Sequence, residues 1–107
     1  MGFFDVFRGP DINTGVQQFK STPGAVLLDV READEYAMNR IPESRNIPLS
    51  RLSKIEDEIE DKDTPLFVYC LSGGRSARAT AMLVKMGYTC VNDIGGISAY
   101  LGKVEKR

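Results

Sequence analysis

Val68-Tyr69-Cys70-Leu71-Ser72-Gly73-Gly74-Arg75-Ser76-Ala77 is the stretch from which the rest of the chain is read. The apolar run Leu66 to Tyr69 delivers one cysteine into a short, glycine-bearing loop. That loop opens directly into the helical pattern Ser76 to Met86. A thiol at such a turn lies beneath several backbone N–H groups and the positive end of a helix, worth roughly half an elementary charge. Those conditions draw a thiol toward its thiolate near neutral pH. The chain has no histidine, so no imidazole shares the task. Gly73 and Gly74 accept positive φ and lack a Cβ, so successive amides can curl toward one centre. Arg75 adds a planar fork of donors suited to an oxyanion. Ser76 is placed either to cap the helix or to hydrogen-bond the sulfur. The expected site is an anion cradle around a nucleophile, Cys70.

Working outward, strand-like and helix-like runs alternate. Ile12 to Lys20 is predicted as a short helix, with Asn13 as N-cap and Val16 and Phe19 on one face. Pro23-Gly24 turns into Ala25 to Val30, which reads as a fully buried strand. A helix is predicted from Glu32 to Asn39, with Asp34 and Glu35 in its first turn. Pro42 punctuates the chain ahead of a short strand at Asn46-Ile47-Pro48. Ser53-Lys54-Ile55-Glu56 has the capping-box pattern, and Leu52, Ile55 and Ile59 mark the inward side of its helix. Asp63-Thr64-Pro65 then turns into the strand Leu66 to Tyr69.

Beyond the loop, Ala79, Met82, Leu83 and Met86 form a buried stripe, and Gly87 stands where a helix stops. Thr89-Cys90-Val91 reads as another strand. Gly95-Gly96 leads into a last helix that buries Ile97, Tyr100, Leu101 and Val104. Buried strands separated by amphipathic helices imply an α/β fold with a parallel sheet covered on both faces. Such sheets bind ligands at the carboxyl ends of their strands, and Cys70 lies at one.

The length of 107 residues suits one domain, with residues 1–11 expected as an N-terminal extension. A formal charge of −1 lacks the basic excess that nucleic-acid or membrane-surface binding requires. Cys70 and Cys90 form no C-x-x-C pair, and without histidine a structural zinc site is not expected. Cys90 reads as a strand residue and not as a resolving thiol. The N-terminus from Met1 to Arg8 has no basic flank and no sustained apolar core, so no secretory signal or longer precursor is expected. A reducing cytoplasm, where a free thiol survives, is the expected location. Phe3, Phe4 and Phe7 are expected to pack onto the domain.

Three segments, in order, resemble the rhodanese-like sulfurtransferases. The first is Leu28-Asp29-Val30-Arg31-Glu32 followed by Glu35-Tyr36, Ile41-Pro42 and Asn46-Ile47-Pro48. The second is Cys70-Leu71-Ser72-Gly73-Gly74-Arg75-Ser76. The third is Gly95-Gly96-Ile97-Ser98-Ala99-Tyr100, similar to the family's Gly-Gly-x-x-Ala-aromatic segment. The resemblance runs from about Ile12 to the C-terminus. It implies a three-layer fold whose five-stranded parallel sheet carries helices on both faces.

It also implies a thiosulfate sulfurtransferase in which Cys70 carries a persulfide. The amides from Leu71 to Ser76 (Leu71, Ser72, Gly73, Gly74, Arg75 and Ser76) would cradle the substrate, with Arg75 at its anionic end. Asp29-Val30-Arg31 would be structural, and Gly95-Gly96 would pass near the site but act mainly as a turn. Where family members often read Gly-His-Ile-Pro-Gly-Ala, this chain reads Asn39-Arg40-Ile41-Pro42-Glu43-Ser44. The family's histidine is therefore absent, and Arg40 is expected as a solvated surface residue.

The expected partners are a small anionic sulfur donor and a thiol or protein acceptor; no metal or organic cofactor is needed. Two rivals stand beside this reading. Cysteine phosphatases and arsenate reductases use a related cradle but space Cys and Arg as C-x5-R. Here the spacing is C-x4-R, with Ser76 at the phosphatase arginine's place, and the shorter loop suits a sulfur bonded directly to Cys70. The other rival is a non-catalytic rhodanese-like module that carries sulfur or docks a partner, against which the intact Cys70, Gly73, Gly74 and Arg75 set argues.

Overall fold

Two short apolar strands, β1 (Val26–Asp29) and β4 (Leu66–Cys70), are buried along their whole length and form the centre of the sheet. Nothing polar interrupts them before Asp29, so each face must be covered. A computed structural model describes residues 10–107. The Phe3, Phe4 and Phe7 cluster and most of the expected extension lie outside the described residues.

Among the described residues the main sheet has four strands in the order β3-β1-β4-β5, all parallel, where β3 is Arg45–Asn46 and β5 is Val91–Gly96. That is one strand fewer than expected. A second, antiparallel pair joins β2 (Asn39–Arg40) to β6 (Glu105–Lys106).

Strand alternation sorts the core into two halves. Leu66, Val68 and Cys70 face one side with Val26, Leu28, Leu52, Ile55, Ala79 and Leu83. Phe67 and Tyr69 face the other side with Ile12, Val16, Phe19 and Ile94. The first layer is supplied by α3 (Ile55–Glu58) and α4 (Gly74–Lys85), the second by α1 (Ile12–Lys20). α1 sits so close to β5 that a Cβ on Gly15 would lie 2.4 Å from Ile94. The remaining helix, α2 (Ala33–Met38), follows β1 and buries none of its residues.

Several sequence expectations are corrected. The N-cap of α1 is Asp11, whose carboxylate accepts from the Asn13 amide at 3.0 Å and the Thr14 hydroxyl at 2.9 Å. Asn13 instead clamps the C-terminal segment, donating to the Ala99 carbonyl and accepting from the Leu101 amide. Ser53 caps nothing, because a 3-10 turn beginning at Leu49 already encloses it before α3 starts. Leu52, Ile55 and Ile59 are nevertheless buried as expected. On α4 the buried stripe is Ser76, Ala79 and Leu83, and Met82 falls on the exposed flank.

The last helix is absent. Ile97–Ala99 makes one 3-10 turn, Tyr100 is extended, and the chain runs out to β6. The Tyr100 ring folds over Gly102, where a Cβ would meet its hydroxyl at 2.3 Å, and Leu101 is 89% exposed. Cys90 precedes β5 and is exposed. Arg40 is half-buried: it pairs with Glu105 at 3.2 Å, donates to the Tyr36 carbonyl, and lies over the Tyr36 ring. It therefore fastens the small β2–β6 pair. Glu43, where family members often have glycine, takes a left-handed φ of 73°, a conformation that costs a side chain about 1 kcal/mol.

Candidate active site

The site begins at the carboxyl end of β4. Alternation points Cys70 to the side that α4 covers, and only three residues separate it from the start of that helix at Gly74. Gly73, at φ 113°, makes the reversal; a side chain there would be strained. The chain then curls around the sulfur. The Gly73 amide donates to Cys70 Sγ at 3.1 Å and the Ser76 amide at 3.3 Å. The amides of Gly74 and Arg75, which open α4, have no acceptor among the described residues. They belong to the first turn of α4, whose N–H groups no helix carbonyl takes, an arrangement that suits an anion.

Cys70 is 1% exposed, and its environment is not that of an inert core thiol. Burial alone would push it up. The Ser76 hydroxyl and amide, with the amides of Gly73 and Ser72, outweigh burial, and the thiol lies below its ordinary value. Of these donors the peptide amides are the firmer ones. The Ser76 hydroxyl has a single proton, and its shortest contact is the Asp93 carboxylate at 2.8 Å. That contact, with Ser76 Oγ to the Gly73 carbonyl at 3.0 Å, anchors the first turn of α4 against β5. Of the two tasks foreseen for it, Ser76 performs the sulfur contact, through its amide; it caps nothing, because α4 already begins at Gly74 with Gly73 as its N-cap.

β5 supports the loop from behind. A register shift after Val68 brings Gly95 opposite Tyr69 and Gly96 opposite Cys70. A Cβ on Gly96 would lie 2.2 Å from the Leu71 carbonyl oxygen, and that carbonyl accepts from the Ser98 amide at 3.0 Å. Gly96 is thus a close-contact position, not simply part of a turn. Only glycine lets the loop rest against the strand.

Arg75 does not stand free beside the sulfur. Its two outer nitrogens meet the two oxygens of Glu35 at 2.7 and 3.0 Å. Glu35 Oε1 also accepts from the Glu32 amide at 2.8 Å, closing the capping box at the start of α2. Hydrogen bonding to Arg75, opposed by burial and helped by the Glu32 amide, holds the Glu35 carboxyl at about 2. Sequence reasoning placed Glu35 as a first-turn acid of a helix and, with Tyr36, in the first family-like segment, but gave it no partner. Nothing in the local pattern reports a contact 40 residues away.

Asp29 and Arg31 are buried and pair with each other. Arg31 donates to both Asp29 oxygens and to the Asn39 carbonyl, while the Asn46 side chain donates to the Asp29 and Arg31 carbonyls. The pair ties strand ends together, as a structural role requires. Cys90 is at the opposite end of the sheet: β5 starts beside Leu66 and reaches Cys70 only at Gly96. Four strand steps of about 3.3 Å put the two cysteines well beyond disulfide reach.

Residues 14–103 match the rhodanese-like domain family. The uncharacterized protein YqhL of Bacillus subtilis is 39% identical over 84 residues, covering 78% of this chain and 66% of that one. The putative sulfur carrier protein YrkF of the same organism is 33% identical, covering 83% of this chain and 48% of its own. The thiosulfate sulfurtransferase PspE of Escherichia coli is 35% identical over 71 residues, covering 65% and 68%. The chain thus spans less than two thirds of the length of some relatives it matches. Among solved structures, a rhodanese with anions from E. coli superposes with a TM-score of 0.72 at 31% identity, covering 78% of this chain and 99% of that one. No helix among the described residues is long and apolar enough to cross a membrane.

Proposed function

The chain belongs to the rhodanese-like family, and from that premise we propose that it transfers a sulfane sulfur by double displacement on Cys70. The donor is thiosulfate or a related small anion. The Cys70 thiolate attacks its outer sulfur, a Cys70–sulfur bond forms, the donor's S–S bond breaks, and sulfite leaves with the electron pair. A nucleophilic acceptor (cyanide in an assay, a thiol or a protein in a cell) then takes the outer sulfur, and the thiolate is regenerated. Charge is moved without a net proton transfer, so a site with no histidine is no handicap.

One observation carries this reading: the Gly73 and Ser76 amides converge on Sγ. Preorganised donors of this kind stabilise an anion as it develops and need no rearrangement in the reacting step. The amides of Leu71 to Ser76 are the substrate cradle, and Arg75 borders it. We read the chain as a single domain working in a reducing compartment, the cytoplasm, where Cys70 stays free.

Replacing Cys70 by Ser removes the nucleophile while keeping its size. The expected result is loss of thiosulfate:cyanide turnover with an unchanged unfolding curve; turnover retained in that variant refutes the assignment. The similarity to a putative sulfur carrier favours one second reading, that the same Cys70 persulfide is loaded by another protein and passed on. Wild-type protein that accepts sulfur from a persulfide donor but never from thiosulfate would select it.

A further inference from the structure

Arg75 is the only cationic side chain of the loop from Cys70 to Ser76, yet both of its outer nitrogens are already bound to Glu35. A bidentate pair of this kind fixes the plane of a guanidinium as well as offsetting its charge. The two side chains keep 31% and 28% of their exposure, so the pair sits at the rim of the cradle and not within the core. Glu35 is itself held from the other side by the Glu32 amide. The remaining charged groups nearby are Arg31 and Glu32 on the connection from β1 to α2, the Cys70 sulfur, and Asp93, which reaches the loop through Ser76.

We propose that Glu35 is a specificity-setting positioning residue for the transfer reaction. It holds Arg75 as a neutralised strut, so that donor anions are recognised chiefly by peptide amides and the cradle's affinity for a dianion is kept moderate. The charge balance explains why this matters. With Glu35 ionised, the pair adds no net charge beside Sγ; without that charge, one full positive charge faces both the thiolate and the donor. A looser donor site also lets sulfite leave after the S–S bond breaks. The proposal rests on the sulfur-transfer reading, and its test is chosen to separate the two.

Glu35→Gln keeps the side-chain shape and an acceptor for Arg75 but removes the charge. The pH dependence of Cys70 alkylation by iodoacetamide, which needs no sulfur donor, is expected to move down by about half a unit. The KM for thiosulfate is expected to fall about threefold or more, with kcat unchanged or lower. Arg75→Gln should move both quantities the other way, and Glu35→Asp should restore wild-type values in part. An unshifted alkylation profile in both Glu35→Gln and Arg75→Gln, each confirmed folded by its unfolding curve, overturns the proposal, as does a KM that rises in Glu35→Gln. A shifted profile in a protein that never uses thiosulfate supports the role of Glu35 and overturns the donor assignment instead.

Discussion

Two arginine–carboxylate pairs, Asp29 with Arg31 and Glu35 with Arg75, do different work. Asp29 and Arg31 are two residues apart, fully buried, and their remaining donors and acceptors are consumed by Asn39 and Asn46. Glu35 and Arg75 are 40 residues apart and about a third exposed, and Arg75 lies in the first turn of the helix whose Ser76 amide meets the sulfur. The first pair joins a strand end to its neighbours; the second joins a helix start to the cradle. Burial decides which is structural. An ion pair in the interior cannot lose one member without stranding the other, whereas a pair at the rim exchanges protein for water at small cost.

That contrast is broken most severely at Arg31. Arg31→Met leaves the Asp29 carboxylate buried with its main partner gone, and urea unfolding should register a loss of about 3–5 kcal/mol. A loss below 1 kcal/mol would erase the distinction between the pairs.

A second test asks whether the loop depends more on its backbone seat than on its arginine. Gly96→Ala drives a Cβ into the Leu71 carbonyl. It is expected to cost about 1–3 kcal/mol of stability. Thiosulfate turnover should fall by at least about tenfold, because the amides aimed at Sγ must shift with Leu71. Kinetics equal to wild type would mean that the cradle is not set by this contact.

The smallest effect belongs to the rim pair. Glu35→Gln should change stability at pH 7 by no more than about 1 kcal/mol. Its sign with pH is fixed: the carboxyl is lowered from 4.5 to about 2 in the folded protein. The contribution is therefore present above about pH 4.5 and lost as pH falls toward 2. The gap between the unfolding midpoints of wild type and variant should narrow steadily below about pH 4.5 and close toward pH 2; curves that stay parallel from pH 7 to 2.5 would contradict the assignment.

What could be read from the sequence follows from the range of the forces involved. β1 and β4 declare themselves because each is an unbroken apolar run, and α1 and α4 because their periodicity is local. The position of Cys70 beneath amides follows from strand, glycine and helix in immediate succession. Long-range capture decided the rest. Leu101 and Tyr100 keep a helical spacing, but Asn13 takes the Leu101 amide and β2 takes the tail. Glu35 resembles any first-turn acid until Arg75 is seen to reach it. Gly96 reads as half of a turn until the Leu71 carbonyl is found against it. Contacts between distant segments leave no local pattern, and the site's supporting residues are of that kind.

The most direct test is the intact mass of the purified protein after incubation with thiosulfate and removal of excess reagent. The account predicts a gain of one sulfur atom, localised to the peptide bearing Cys70, reversed by cyanide and absent from Cys70→Ser. A wild-type protein whose mass stays unchanged with thiosulfate and with persulfide donors alike, or whose added sulfur maps to Cys90, would contradict it.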